Sequence, residues 1–404
     1  MTKLKQQETR KPRIAVFITS MAGGGAEKAV TMLLNSLDKE KYELHLLVNR
    51  FEGPYCVQIP PYVQVTEIRA PRLRVALPRL IRALQRVEPD VVIANLWENN
   101  VMAVAAKRWC KRPYAVIVCE HSAISRKRPP GTNMLRRLCY KRADAVVGCS
   151  IAMGDELHHL LRIPEERIRV IYNAVIDQGF NVRKDEACRH PWLNDEQSSA
   201  TANESGFPAP VIISLGRLSP EKRYDLLIEA AARLRQSGMP VRVILIGEGA
   251  DRTRLEQIRS ELGADQYVDL PGYTANPLPY LRRANLYVQS SDVEGLPTAL
   301  IEAIACGTPV VATLTATGTA EVVQGIKGAV TVPCGDVQAM TEAIRRQLQL
   351  QALRIEGAST SLEPDLRFTS EHASGQYEAL IDSLLASSGY EAQHREQERR
   401  GATG

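Results

Sequence analysis

Short apolar runs alternate with segments of helical period along most of the chain. Ile14–Thr19 reads as a strand, followed by a glycine loop and a helix from Ala29 to Leu37, and Glu43–Val48 reads as the next strand. Leu77–Val87 has helical spacing. Asp90–Ala94, Tyr114–Cys119 and Ala143–Gly148 read as buried strands, and Arg167–Tyr172 closes the set. Near-continuous Val, Ile and Ala runs, rather than strict alternation, belong to parallel sheets covered on both faces by helices.

Residues 178–208 break the rhythm. They are polar, turn-rich and without period, which predicts a linker or surface excursion. The pattern then restarts with strands at Val211–Leu215, Val241–Ile246, Val268–Leu270, Leu286–Gln289 and Pro309–Thr313. Helical segments at Leu226–Leu234, Arg252–Leu262, Pro277–Ala284 and Pro297–Ala305 alternate with them. Ile14–Leu37 and Val211–Leu234 share one opening of strand, glycine loop and helix, so the second half is a second copy of the same architecture. The expectation is an α/β protein of two facing, Rossmann-like, doubly wound parallel-sheet domains, residues 1–177 and 209–370, with an interdomain cleft. A helix over 371–386 would return to the first domain, followed by a polar tail at 387–404. Ligands of such sheets sit beyond the carboxyl ends of the strands.

Composition narrows the function. With 404 residues, 44% hydrophobic and 24% charged, the chain is an ordinary globular protein with ample core. No run approaches the ~18 apolar residues of a membrane span. An aromatic fraction of 5% is thin for stacking on single-stranded nucleic acid, and no nucleic-acid motif is present, so no nucleic-acid partner is expected. The net charge of +5 divides into +12 over residues 1–180 and −7 over 181–404, so the first half has the sign to meet an anionic partner. Eight scattered cysteines without a Cys-x-x-Cys pair fit a reducing, cytoplasmic compartment. Lys11 and Arg13 before an apolar run imitate a signal peptide, but the run is short and leads into a patterned helix at Glu27-Lys28.

Two stretches carry chemistry. In Ser291–Ala312 a strand end, a Glu294-Gly295 turn and Pro297 lead into a helix stopped by Gly307. The amides of Leu296, Thr298 and Ala299 would then form an anion site at the strand end. Glu294 lies at the helix mouth and Glu302 one to two turns in, where a carboxylate can accept two hydrogen bonds from a vicinal diol. The plainer alternatives are a capping Glu294 and a solvated Glu302. In Ser214–Ala230, Gly216 lets the backbone turn at a strand end, and Arg217 and Lys222 project from the same loop, two cations suited to a departing diphosphate.

Gly216-Arg217-Leu218 with Lys222, Gly247-Glu248-Gly249, and Glu294 with Glu302 in Glu-Ala-x-Ala-x-Gly-x-Pro-Val-Val occur in an order and spacing similar to the retaining family-four glycosyltransferases of GT-B fold. Gly24-Gly25-Ala26-Glu27 resembles that family's glycine loop, Glu120-His121-Ser122 its sugar-facing histidine, and Tyr172–Val175 the segment closing its first domain. Two positions depart: Arg223 replaces the glycine common after the lysine, and Thr317–Glu321 keeps one glycine where two are usual.

The resemblance implies the GT-B architecture and a retaining, metal-independent hexosyl- or N-acetylhexosaminyltransferase. Arg217 and Lys222 would bind the donor diphosphate, Glu302 the ribose, and Gly272 and Tyr273 the base. Glu294 with Gly295, Leu296, Pro297 and Thr298 would grip the sugar and β-phosphate. His121 would reach the sugar from the first domain, while Gly24 and Gly25 would let backbone approach the phosphates. Glu294 and His121 are thus the expected catalytic pair. No cofactor or metal is expected: the chain has no Asp-x-Asp, and the cations would replace a metal ion. The donor would be a nucleotide sugar, UDP-linked rather than GDP-linked. The acceptor would be a glycan on a polyprenyl or other lipid, as in polysaccharide, lipopolysaccharide or glycoprotein glycan assembly. A soluble transferase with a small acceptor and a noncatalytic nucleotide-sugar binder are the alternatives. A dinucleotide oxidoreductase fails on Lys28, which stands where its third glycine belongs.

An anionic membrane surface is an expected partner, placing the protein on the inner face of the plasma membrane. Arg69, Arg72, Arg74, Arg79, Arg82 and Arg86 interleave with Leu73, Val75, Leu77, Leu80, Ile81 and Leu84. A second basic cluster runs from Lys107 through Lys127 and Arg136 to Arg142.

Overall fold

The computed structural model describes residues 10–71, 75–126, 128–194, 209–352 and 365–387. Arg72, Leu73, Arg74, Lys127, the excursion beyond residue 194 and the tail from 388 lie outside the described residues. The chain forms two compact units, the first Met1–Cys149, Gly154–Ile171 and Glu371–Gly404, the second Ser150–Met153 and Tyr172–Ser370.

In the first unit the elements are β1 (Arg13–Ile18), α1 (Gly25–Ser36), β2 (Glu43–Val48), β3 (Gln64–Glu67), α2 (Leu77–Val87), β4 (Val91–Asn95), α3 (Trp97–Ala106), β5 (Ala115–Glu120), α4 (Thr132–Tyr140), β6 (Ala145–Gly148), α5 (Ile151–His159, from Gly154 onward) and β7 (Ile168–Val170). All seven strands are parallel in the order β3-β2-β1-β4-β5-β6-β7. Strands β4 and β5 are buried along their whole length, as their unbroken apolar runs require. Helix α2 starts with Pro78 in its first turn and buries Leu80, Ala83, Leu84 and Val87, one face at helical spacing.

The second unit contains α6 (Phe180–Lys184), β8 (Val211–Leu215), α7 (Tyr224–Gln236), β9 (Arg242–Ile246), α8 (Arg252–Glu261), β10 (Val268–Gly272), α9 (Leu278–Arg283), β11 (Leu286–Gln289), α10 (Thr298–Ala305), β12 (Val310–Thr313), α11 (Thr319–Val323), β13 (Val330–Val332) and α12 (Val337–Ala352). Its six parallel strands run β10-β9-β8-β11-β12-β13. Ile212, Val243, Leu245, Val288 and Val311 pack with Leu227, Leu234 and Ile344 of the covering helices.

The structure differs from the sequence pattern just after residue 177. Residues 178–194 are not a bare linker: α6 buries Phe180, Asn276 donates to the Arg183 carbonyl at 2.9 Å, and His190 bonds Asp269 at 2.9 Å. Single apolar plugs such as Cys188 and Leu193 do this packing, and isolated plugs have no period to detect. The last helix, α13 (Ser370–Ser387), belongs to the first unit from Glu371 onward. There Asp382 accepts from Lys41 at 2.6 Å and Tyr42 at 2.7 Å, and buried Tyr377 meets Cys119.

Candidate active site

In each sheet the strand order reverses at a central pair, β1 with β4 and β8 with β11. The chain leaves those two strands toward opposite faces, which opens a crevice at their carboxyl ends. In the second unit the loops after β8 and β11 carry most of the residues singled out in the sequence.

The loop after β8 is held backbone to backbone against the loop after β9. Gly216 donates to the Ile246 carbonyl at 3.0 Å and Leu218 to the Glu248 carbonyl at 2.9 Å. A Cβ on Gly247 (φ +149°) would lie 1.9 Å from the Gly216 oxygen, and one on Gly249 would lie 2.1 Å from the Leu218 oxygen. Only glycines permit this approach. It turns Arg217 outward, exposed, while Leu218 is buried beneath. Gly272, at the end of β10, accepts from the Gly247 amide at 2.9 Å, so Gly272 and the exposed Tyr273 border the same loop pair.

Lys222 ends the short turn Pro220–Lys222, and its ammonium meets the Glu294 carboxylate at 2.7 Å. Ser291 donates to the same carboxylate oxygen at 2.6 Å, and the Thr317 hydroxyl donates to the Glu294 carbonyl. The two loops are also tied directly: Ser290 Oγ donates to the Lys222 carbonyl at 2.7 Å and the Asp292 amide to the Glu221 carbonyl at 2.9 Å. Glu294 is therefore no helix cap. Helix α10 begins after Pro297 with no side-chain cap, so among the described residues the amides of Thr298 and Ala299 open it without an acceptor. Gly318 (φ +73°) closes the floor, where a Cβ would stand 2.4 Å from the Gly295 oxygen, which accounts for the one glycine kept in Thr317–Glu321.

Glu302 is buried on α10 rather than on a solvated face. Burial, then the neighbouring Tyr224 and the Glu294 and Glu302 carboxylates, push the Tyr287 hydroxyl well above its ordinary range. Arg223 occupies a left-handed conformation (φ +49°), which explains why glycine suits this position. Its guanidinium offsets the strain by pairing with Asp225 at 3.2 Å and with Asp292 at 3.1 Å. Among the described residues no group of three or more His, Cys, Asp or Glu side chains could hold a metal ion.

The first unit holds the remaining candidates. Gly24 and Gly25 begin α1 at the end of β1. His121 follows β5, and its Nε2 meets Asn95 Oδ1 at 2.9 Å. Asn95, the last residue of β4, is anchored by donating to the Ile93 carbonyl at 3.2 Å. Asn99, near the start of α3, bonds Thr19 at 3.1 Å and the Asn95 carbonyl at 2.8 Å. Asn95, Asn99, Ser291, Thr317 and Tyr224 went unmarked in the sequence. Ser291, Thr317 and Tyr224 lay inside stretches already quoted but without a role, and Asn95 and Asn99 are ordinary polar residues until each unit's own strand ends gather them.

Two parts of the basic-surface expectation need correction. Helix α2 keeps Arg79, Arg82 and Arg86 exposed, but the main apolar positions between them form its core face. Arg136 is completely buried, its Nη2 2.6 Å from Glu120, which also accepts from the Tyr140 hydroxyl. Charge alternation along a helix does not distinguish a guanidinium aimed at the core from one in water.

The family model described as glycosyl transferases group 1 matches residues 198–357, and that described as Glycosyltransferase Family 4 matches residues 23–178. The chain is 31% identical over 365 residues to the lipopolysaccharide core biosynthesis glycosyltransferase LpsE of Rhizobium meliloti, covering 89% of this chain and 96% of that one. It is 25% identical over 358 residues to the N-acetylgalactosamine-N,N'-diacetylbacillosaminyl-diphospho-undecaprenol 4-alpha-N-acetylgalactosaminyltransferase of Campylobacter jejuni, covering 85% and 92%. Anabaena HepE, solved with UDP-glucose, matches with a TM-score of 0.75 at 20% identity over 92% of this chain and 99% of that one. With two parallel α/β units of reversing strand order and these matches, the chain belongs to the group 1, family 4 glycosyltransferases and has their GT-B fold.

Proposed function

We propose that this glycosyltransferase moves a hexosyl or N-acetylhexosaminyl group from a nucleotide sugar, UDP-linked in preference to GDP-linked, to a hydroxyl of a lipid-linked glycan. The anomeric configuration is retained and no metal is used. The observation that carries the reading is the Lys222–Glu294 pair at the β8/β11 switch point, with Arg217 projecting from the same loop. Support for the acceptor class comes from the relatives, two of which are named for diphospho-undecaprenol-linked glycans and one for lipopolysaccharide core synthesis. A UDP donor is supported by the HepE structures, solved in complex with UDP and with UDP-glucose.

On donor entry Lys222 exchanges the Glu294 carboxylate for the β-phosphate, and Arg217 adds a second cation. The amides at the start of α10 complete the anion site. Glu294, released, accepts from hydroxyls of the sugar, and Glu302 from the ribose. Gly272 and Tyr273 flank the base. In the first unit His121, oriented by Asn95, is the candidate for the sugar, and Gly24 and Gly25 are the candidates for close backbone approach. The bond from the anomeric carbon to the phosphate oxygen breaks as the acceptor oxygen bonds to the same face, and the acceptor proton passes to the departing phosphate. Charge on that phosphate is what the fixed cations stabilise.

Incubation with UDP- and GDP-sugars and a polyprenyl-diphosphate glycan, with product anomers read by proton NMR, tests the proposal. Expected are UDP release, an α-linked product from an α-linked donor, and little change with EDTA. Inverted product, or activity lost to EDTA and restored by Mg²⁺, would overturn the mechanism. Transfer only to a soluble acceptor would overturn the acceptor class.

A further inference from the structure

Helix α4 is inverted relative to an ordinary surface helix. Its inward face is Thr132, Arg136 and Tyr140, and the latter two are tied to buried Glu120. Its outward face is apolar: Met134, Leu135 and Leu138 are 67%, 43% and 50% exposed. An isolated exposed leucine is commonplace, but three large apolar side chains on nine residues of one helix are not. The surrounding charge is of one sign. Residues 126–143 contain seven Lys and Arg and no Asp or Glu. Of these, Arg137, Lys141 and Arg142 flank the apolar face, and among the described residues none of the three is ion-paired. At the end of α4 the Lys107–Asp144 pair (2.6 Å) brings in the turn after α3, where Trp109 is 53% exposed between exposed Arg108 and Lys111.

We infer that the outward face of α4, with Trp109 beside its end, docks the protein on an anionic lipid leaflet. Met134, Leu135 and Leu138 would enter the headgroup boundary, and the flanking cations would meet lipid phosphates. Apolar side chains ringed by unpaired cations fit this partner, since a protein partner would need acidic groups spaced to match while a leaflet offers negative charge at any spacing. A tryptophan at the rim suits the same boundary, because its ring is amphipathic. The inference deepens the lipid-linked acceptor reading and rests on it only for its purpose: docking would bring the enzyme to the plane in which that acceptor lies.

Co-sedimentation of the full chain with vesicles of phosphatidylcholine alone, or with phosphatidylglycerol added, tests the surface without needing a donor. Expected is binding to the anionic vesicles that falls steeply between low and high salt. A Met134→Ser/Leu135→Ser/Leu138→Ser variant should lose about tenfold or more of that binding, since each substitution deletes apolar area that docking would remove from water. The Arg137→Gln/Lys141→Gln/Arg142→Gln variant should lose the salt dependence. Both should keep wild-type circular dichroism and wild-type transfer to a detergent-dispersed acceptor. Unchanged vesicle binding by the serine variant would overturn the inference. So would a concentration-dependent dimer in solution that the serine variant abolishes, which would make the face a contact between copies. A wild-type chain that binds vesicles but transfers no sugar would leave this inference standing and remove the acceptor reading instead.

Discussion

The two units share a scheme and place their charge differently. Both sheets are wholly parallel and reverse order at one central pair. In the first unit the most deeply buried ion pair among the described residues, Arg136 with Glu120, is sealed off, both side chains at 2% exposure or less. Its strand ends present instead a network of amides and one histidine around Asn95, Asn99 and His121. In the second unit the Lys222–Glu294 pair is partly open to water, and Arg217 stands exposed beside it. A sealed pair can only be structural, because no ligand can replace either partner without burying an unpaired charge. A half-open pair can exchange one partner for a substrate anion at small cost. The contrast separates packing from chemistry within one repeated architecture.

The sharpest way to break the contrast is Arg136→Met. It strands the Glu120 carboxylate and should cost about 3–5 kcal/mol of stability. Urea unfolding measures it, and a loss below about 1 kcal/mol would show that water reaches the pair.

Lys222→Ala, Glu294→Gln and Arg217→Ala should do the reverse. Each removes a contact to charge that develops in the transition state, so turnover should fall by about 30- to 1000-fold, ~2–4 kcal/mol of barrier. Thermal midpoints should move far less than for Arg136→Met. Full activity in a folded Lys222→Ala enzyme would remove the phosphate assignment.

Arg223 sits between the two cases. Glycine relieves the left-handed backbone whereas alanine does not, and both delete the ties to Asp225 and Asp292. Arg223→Gly should therefore be more stable than Arg223→Ala by about 1 kcal/mol. Both should turn over more slowly than wild type if the Asp292 tie helps hold the Lys222 turn to the Glu294 loop. Equal stability of the two variants would mean that the turn relaxes.

The smallest effect concerns pH. Burial lowers the pKa of His45 on β2 below its ordinary 6.5, against the opposing pull of Glu43. The unfolded chain then binds this proton first, so stability is complete above pH about 6.5 and declines as pH falls through that value toward the folded pKa. His45→Gln should flatten the decline in a series of thermal melts, and an unaltered slope would assign it to other groups.

Much of the scaffold was legible because parallel strands buried on both faces are apolar runs of fixed length. Glu43–Val48, Leu77–Val87, Val211–Leu215 and Leu286–Gln289 coincide with elements of the structure. Strand β3 escaped because Gln-Val-Thr-Glu at a sheet edge has no apolar run to betray it. Helix α4 escaped because its inward face is Thr, Arg and Tyr, the reverse of the pattern that marks a surface helix.

The sequence by itself determined the period, and with it the parallel α/β units. It also determined the glycines, whose missing Cβ atoms allow the loops after β8 and β9 to touch. Only the tertiary structure decided which charges are sealed and which are open. Arg136 and Arg137 are neighbours of one chemical type, yet the first is buried against Glu120 and the second lies at the surface. A helix turns about 100° per residue, and what waits in each direction is set by strands brought from elsewhere in the chain.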